Sequence, residues 1–390
     1  MMLRIHCLPR PSRLKNVVIA PLRQTRKIIP QVWRERWHRL QSAQVVQAAQ
    51  TSVCATPRSA GRWAVLAGAL LLAGCGGAQS ALAPAGREAE RIADIFWWMT
   101  GGAVIVWLAT ILLTIYAIRV RPESHNRRQA GLLIIGGGAV VPTVVLAALL
   151  VYGLIPIPAL MAPAPEGSLK IVVAGEQWWW RVRYEPPGGA AVDLANEIRL
   201  PVGEPVQFQL ESNNVIHSFW IPSLGGKVDM IPGRITRLAL LPTETGVFRG
   251  ACAEYCGTAH ALMSFYVEVM AKEDFDRWLA QQAAPAKDLL SAPPPADPVA
   301  ARGQQLFLAQ GCGACHTVRG TPADGVVGPD LTHVGSRLSL AAGILPNEPD
   351  PFTRWIVHTE AVKPGVLMPA FGMLPPEEVR ALAAYLEGLQ

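Results

Sequence analysis

Two long stretches without a charged residue constrain this 390-residue chain more than any other feature. Residues 95–118 read IFWWMTGGAVIVWLATILLTIYAI, and residues 130–155 read AGLLIIGGGAVVPTVVLAALLVYGLI. A bilayer core takes about 20 apolar helical residues to cross, and inside it each backbone amide must find its partner within the segment. Both runs are long enough, so residues 90–156 are expected to form a two-helix transmembrane hairpin, with Pro142 bending the second helix. The loop between them carries Arg119, Arg121, Arg127 and Arg128 against Glu123 alone. The excess of positive charge places that loop in the cytoplasm and everything beyond residue 156 on the outer face.

The N-terminal region agrees with that orientation. Arg58 and Arg62 precede WAVLAGALLLAGC, which ends at Cys75. A basic start, a short apolar core and small residues before a cleavage point make a secretory signal. The LAGC ending resembles the bacterial lipoprotein signal, so residues 1–75 are expected to be leader and signal, with Cys75 as a lipid anchor. No Met occurs between Met2 and Met99. Translation is therefore expected to start at a non-Met codon such as that of Val53, which mass spectrometry of the mature N-terminus checks. Residues 1–62 hold twelve Lys and Arg against one Glu, while the whole chain has a net charge of +6. The rest is acidic overall, which argues against a nucleic-acid partner.

From 168 to 275 the pattern changes to short alternating runs between turn residues: LKIVVAGEQWWWRVRY, NEIRLPVGEPVQFQLES, RITRLALL and MSFYVEVM. Strands at this spacing predict an antiparallel sandwich or barrel, closed by a short helix, EDFDRWLAQQAA. Residues 282–298 are rich in Ala and Pro and read as a semi-rigid linker. Residues 299–390 are helical at both ends, from ARGQQLFLAQG to PPEEVRALAAYLEGL.

Within that last segment, Cys312-Gly-Ala-Cys315-His316 is a C-x-x-C-H run, the attachment pattern of c-type haem. Cysteines three apart can bond one porphyrin edge while the adjacent His316 reaches the iron. A thioredoxin-like redox pair needs no histidine, and zinc would need a second ligand pair. A methionine as the sixth ligand raises the potential into an electron-transfer range, and the segment offers Met368 and Met373. The segment resembles the class I cytochrome c family over about ninety residues, through CGACH, GPDL (328–331) and MPAF ahead of the final helix. That resemblance implies an all-α fold with Met368 as ligand, and leaves Met373 to core or haem-edge packing. His333 and His358 lack motif context and are expected at the surface or in hydrogen bonds.

The other cysteine pair lies in GACAEYCGTAHALM, residues 250–263. Cys252, Cys256, His260 and Met263 share one loop and can converge on one point. A disulfide leaves the histidine and methionine without a purpose. Zinc, with His217 as fourth ligand, has little use for a thioether. Soft thiolate and thioether ligands with imidazole favour copper. A mononuclear blue-copper site needs only one cysteine, whereas two thiolates can bridge two coppers and spread one electron over both.

Residues 90–275 resemble subunit II of cytochrome c oxidase, through HSFWIPSLGGKVDMIPGR (217–234) and CAEYCGTAHALM (252–263). The resemblance implies a cupredoxin-like Greek-key barrel holding the binuclear copper centre called CuA. In it Cys252 and Cys256 bridge the coppers, His217 and Met263 complete one of them, and His260 and the Glu254 carbonyl complete the other. It further implies that the Glu254 carboxylate binds magnesium at the boundary with subunit I, and that electrons enter through Trp178 of the run Gln177-Trp178-Trp179-Trp180. Aromatic strand packing accounts equally well for Trp179 or Trp180. Two departures stand out: Glu176 occupies a place that is commonly His, and residues 129–155 lack the carboxylate found near a proton channel in many members.

A copper domain followed by a cytochrome resembles the caa-type oxidases. The implied function is electron transfer from an external donor, a cytochrome c or similar carrier, through haem c and CuA to subunit I. There oxygen is reduced to water with proton pumping, and subunit III is the further implied partner. Residues 168–282 hold thirteen acidic against ten basic residues, a weak field for recruiting a free basic cytochrome and so an argument for the internal donor. A membrane-anchored copper-delivery protein would explain the Cys/His/Met loop but neither the haem motif nor the tryptophans. A CuA reductase of nitrogen oxides differs in its catalytic partner.

Overall fold

The computed structural model of the chain describes residues 76–119, 126–285 and 297–390. The expected leader and Cys75 lie outside those residues, as does most of the Ala/Pro-rich linker. Helix α1 runs Arg87–Arg119 and α2 runs Arg127–Leu160, and both are long and apolar enough to cross a membrane. In α2 the hydrogen bonds widen to a π-helical stretch, Leu132–Val140, just before Pro142. Such a stretch absorbs the mismatch of an imino acid that cannot donate. The sequence predicted a bend at Pro142, and the structure places the irregularity one turn earlier, over three consecutive glycines.

The first turn of α1 is tied to the domain that follows. Ala85 N donates to the Ser223 carbonyl at 2.7 Å, and Arg87 N to that of Leu241 at 3.0 Å. The buried Glu88 carboxylate accepts from Leu241 N at 2.9 Å. The N-terminal end of α1 therefore sits on the same side as the β-domain, as the charge of the 119–128 loop requires.

That domain has ten strands: β1 Leu169–Glu176, β2 Trp179–Glu185, β3 Val192–Ala195, β4 Glu197–Pro201, β5 Val206–Ser212, β6 His217–Trp220, β7 Val228–Met230, β8 Thr236–Leu240, β9 Gly246–Cys252 and β10 Ser264–Met270. They form two five-stranded sheets, ordered β3-β2-β1-β5-β8 and β4-β10-β9-β6-β7. Pairing is antiparallel except for β1 with β5 and β10 with β4. The run LKIVVAGEQWWWRVRY is a hairpin, β1 and β2, in which Glu176 faces Trp179. Alternation drives the packing: in β5, Val206, Phe208 and Leu210 point inward while Gln207 and Gln209 stay half-buried. Between the sheets Phe219 and Phe265 stack at 5.0 Å, and Trp180 meets Phe265 edge-on at 5.1 Å. Offset and edge contacts of this kind add about 0.5–1.5 kcal/mol per pair beyond area burial. Across the sheets the Tyr184 hydroxyl accepts from Arg199 N at 2.7 Å and donates to the Arg199 carbonyl at 3.0 Å. Burial pushes that phenol well above its ordinary range. Helix α3, Lys272–Ala283, closes the domain.

The last segment packs α4 Pro298–Ala309, α5 Pro349–Val357, the short α6 Thr359–Val362 and α7 Pro376–Gly388 around a second apolar core. The first and last of these cross closely at Gly303, where a Cβ would land on the Ala381 carbonyl and 2.8 Å from Tyr385 Cβ. Gly303→Ala is therefore expected to cost about 1–3 kcal/mol by overpacking, read as a lower thermal midpoint of this domain in the intact chain. A melting curve matching the wild type would show that the crossing can yield.

The fold class read from the sequence is the one observed: a membrane hairpin, an all-β cupredoxin-like sandwich and an all-α cytochrome-like domain.

Candidate functional site

Five contacts gather the six donors named from the sequence. Cys252 Sγ lies 3.8 Å from Cys256 Sγ, 3.8 Å from His217 Nδ1 and 3.1 Å from the Glu254 carbonyl. Cys256 Sγ lies 3.5 Å from His260 Nδ1 and 3.9 Å from Met263 Sδ. His217, Cys252 and Cys256 have donor atoms within 4.8 Å of one another. The two imidazoles thus flank the two sulfurs, one beside each. Strand geometry brings this about. His217 opens β6 and Cys252 ends β9, neighbouring strands in which Phe219 pairs with Cys252. The loop from Cys252 to Met263 then folds back into β10.

The surroundings favour metal over a disulfide or free thiols. Hydrogen bonding with the Cys256 thiol, helped by His217, draws Cys252 below the ordinary thiol range, against the opposing effect of burial. Donating that hydrogen bond, together with burial, pushes Cys256 far up. Soft sulfur, imidazole and carbonyl donors converging on one buried point fit copper.

One partner of this site had no sequence motif. His217 is fully buried, and its Nε2 sits 3.1 Å from Asn214 Oδ1. With Nε2 donating there, Nδ1 is left free to bind a metal, and such partners fix ring orientation. The only hint in the sequence was an amide three residues before the histidine. The Glu254 carboxylate points outward, 44% exposed and 3.7 Å from Lys227 Nζ.

The second constellation surrounds a cavity of about 260 Å³ whose walls include Cys312, Cys315, His316 and Met368. Cys312 opens a short 3₁₀ turn, Cys312–Ala314, and Cys315 caps its end. His316 Nδ1 bonds the Pro329 carbonyl at 2.8 Å, which leaves Nε2 free. Burial holds its pKa below the ordinary imidazole value, so it presents a lone pair. This gives GPDL a role, since the Pro329 carbonyl orients His316. A pair of thiols, a neutral imidazole and a thioether around one apolar cavity fit a covalently held haem. Met373, expected in the core or at the haem edge, is instead 75% exposed and is not among the cavity-lining residues. It lies in the turn between the Met368 loop and α7, beyond reach of the core. His358 is exposed, and the buried His333 bonds the Ala284 carbonyl at 2.9 Å.

The two constellations meet at Trp178. Its indole Nε1 donates to the Cys256 carbonyl at 3.0 Å, beside Gln177 Nε2 at 2.8 Å. Its six-membered ring touches Gly365 in the Met368 loop, where a Cβ would stand 2.9 Å from Cη2. Gly257, on the copper side, leaves a Cβ the same 2.9 Å from Cζ2. Trp178 also lines the cavity. Trp179 lines the cavity as well, but its ring lies under the Arg181 guanidinium at 4.7 Å, and Trp180 belongs to the core. The seam is held by backbone as well: Leu338 N donates to Glu197 Oε2 at 2.6 Å, and Arg249 donates to the Gly343 carbonyl at 3.1 Å.

Comparison with known proteins gives two family matches: "Cytochrome C oxidase subunit II, periplasmic domain" over residues 187–270, and "Cytochrome c" over residues 300–390. Cytochrome c oxidase subunit 2 of Alkalihalophilus pseudofirmus is 33% identical over 334 residues, covering 82% of this chain and 94% of that protein. Its counterpart in Bacillus subtilis is 29% identical over 350 residues, covering 82% and 95%. A probable cytochrome c oxidase subunit 2 of Rickettsia bellii is 36% identical over 136 residues, covering 30% and 51%.

Proposed function

The chain belongs to the cytochrome c oxidase subunit 2 family, and on that premise we propose that its two constellations are successive stations of one electron path. As an oxidase subunit II with a fused cytochrome, it is a membrane-anchored copper and haem c protein with periplasmic domains. It carries electrons from an external donor to subunit I, where oxygen is reduced.

The copper centre is read as binuclear. Cys252 and Cys256 would hold both coppers, His217 and Met263 would serve one of them, and His260 and the Glu254 carbonyl the other. Haem c would be held covalently by Cys312 and Cys315, with His316 and Met368 as the residues that would bind its iron. When bound, both groups take up and release single electrons. The chain's own residues do the positioning. Asn214 holds His217, Pro329 holds His316, and Gln177 with Trp178 pins the Cys256 carbonyl. Trp178 is the point where electrons enter the copper domain, and the observation that carries this is its simultaneous contact with Cys256 and the Met368 loop. The Glu254 carboxylate is assigned to magnesium shared with subunit I, and Cys75 to a lipid anchor. The domains follow as 1–75, 90–156, 168–275, the linker 282–298, and 299–390. Subunit III and a cytochrome c-type donor complete the set of partners.

Purification of the intact complex tests this reading: two coppers and one covalent haem per chain, with a purple mixed-valence spectrum, are expected. A single colourless Cu(I) would favour copper delivery instead. The axial assignment has its own test. Met368→Ala is expected to abolish the low-spin His/Met spectrum and lower the haem c potential, because the thioether favours the reduced iron. An unchanged six-coordinate spectrum would remove Met368 from the ligand set.

A further inference from the structure

One charged group on the cavity wall lacks a counter-ion. Lys363 is only 2% exposed, and its Nζ bonds the Ala341 carbonyl at 2.9 Å. Among the described residues no carboxylate lies within 4.0 Å of it. An ammonium has three donors, and a buried, unpaired one is costly enough to be kept only where something answers it. Burial presses its pKa to about 7, with only the Coulomb effect of Cys256 opposing it. The second cation on the cavity, Arg337, is in a different state: its guanidinium donates to the Asp330 carbonyl and lies near Asp330 and Glu197.

We propose that Lys363 is the counter-ion of a haem propionate, an anchoring residue for the cofactor on the wall that faces the copper domain. The inference rests on the haem c assignment above. Haem brings two carboxylates into a cavity whose lining is mostly apolar, and the Lys363 ammonium is the buried cation there with donors to spare. Its position two residues before Gly365, which touches Trp178, places this charge on the side of the cavity where electrons leave. A cation beside the haem stabilises the added electron by Coulomb attraction, more strongly in a buried site than in water.

The test uses the full-length oxidase with Lys363→Met and Lys363→Arg beside the wild type. Covalent haem is measured first by its pyridine haemochrome spectrum. A wild type without it would overturn the haem c assignment itself rather than the lysine's role alone. With haem attached, Lys363→Met is expected to shift the propionate-bending band in resonance Raman spectra. It should also lower the reduced-to-oxidised ratio of haem c at fixed potential about tenfold, equivalent to about 59 mV for one electron. Lys363→Arg should keep both near wild type. An unmoved band and ratio in Lys363→Met, or a shift confined to the copper centre, would overturn the proposal. Should Lys363→Met fail to assemble, the wild type decides. Its propionate band must shift in deuterated buffer, as an N–H donor requires, and an insensitive band overturns the assignment.

Discussion

A Cys256→Ser oxidase is expected to assemble, carry haem c and turn over almost no oxygen. Three of the five sulfur-centred contacts run through Cys256: to Cys252 at 3.8 Å, His260 at 3.5 Å and Met263 at 3.9 Å. A serine hydroxyl is harder, holds its proton and cannot bridge two soft metals. The backbone carbonyl of residue 256 survives the change, so Gln177 and Trp178 keep their anchor and the fold should persist. Copper should fall from two per chain to one or none by elemental analysis, and the purple absorption should vanish. Turnover should drop by more than the roughly 100-fold that losing an outer hydrogen-bond partner of a metal ligand costs. Haem c should then accumulate in the reduced form under turnover, because its outlet is closed. Asn214→Ala provides the graded comparison. His217 would keep its place but lose the bond that orients it, and copper affinity should fall by about 10–100-fold. Near-normal turnover in Cys256→Ser would dismiss the bridged pair.

These residues differ in how readily the sequence revealed them, for a physical reason. Five of the six proposed copper donor positions lie within twelve residues, 252–263, so their chemistry could be read as one word. His217 was found from its own HSFW context, 35 residues upstream. The C-x-x-C-H run is equally local. Asn214, Lys363 and Gly365 were not legible, because each acquires its role from contact with a distant part of the chain. An asparagine before a strand and a lysine before Pro-Gly are ordinary in sequence. Only folding shows that one holds an imidazole and the other is sealed in a cavity wall. The strands were legible from alternation, since two-sheet packing imposes period two. The break of the WWW run into a hairpin and the π-stretch before Pro142 were not. Both depend on how backbone hydrogen bonds are shared, which side-chain pattern does not record. Met373 shows the opposite error: proximity to Met368 in sequence suggested haem packing, but the turn carries it outward.

Of the three consecutive tryptophans the resemblance singled out Trp178, and the contacts turn that expectation into a prediction of large effect. Trp178→Leu is expected to slow electron equilibration between haem c and copper by roughly 10²-fold, the size of penalty that follows when a reacting pair loses its close positioning. Leucine keeps an apolar filler but removes the ring that touches both Gly365 and Gly257, and with it the indole donor to Cys256. Haem and copper contents and their midpoint potentials should stay near wild type, since neither metal loses a ligand. Trp179→Leu should change the rate little, because that ring lies against Arg181 at 4.7 Å. Trp180→Leu should instead lower stability by about 3 kcal/mol or more through the cavity left among Phe219 and Phe265. Rapid photoreduction of haem c, followed at the haem and copper absorption bands, separates the three. A Trp178→Leu rate equal to the wild type would mean that electrons cross the seam elsewhere, along the hydrogen-bonded contacts of Glu197 or Arg249.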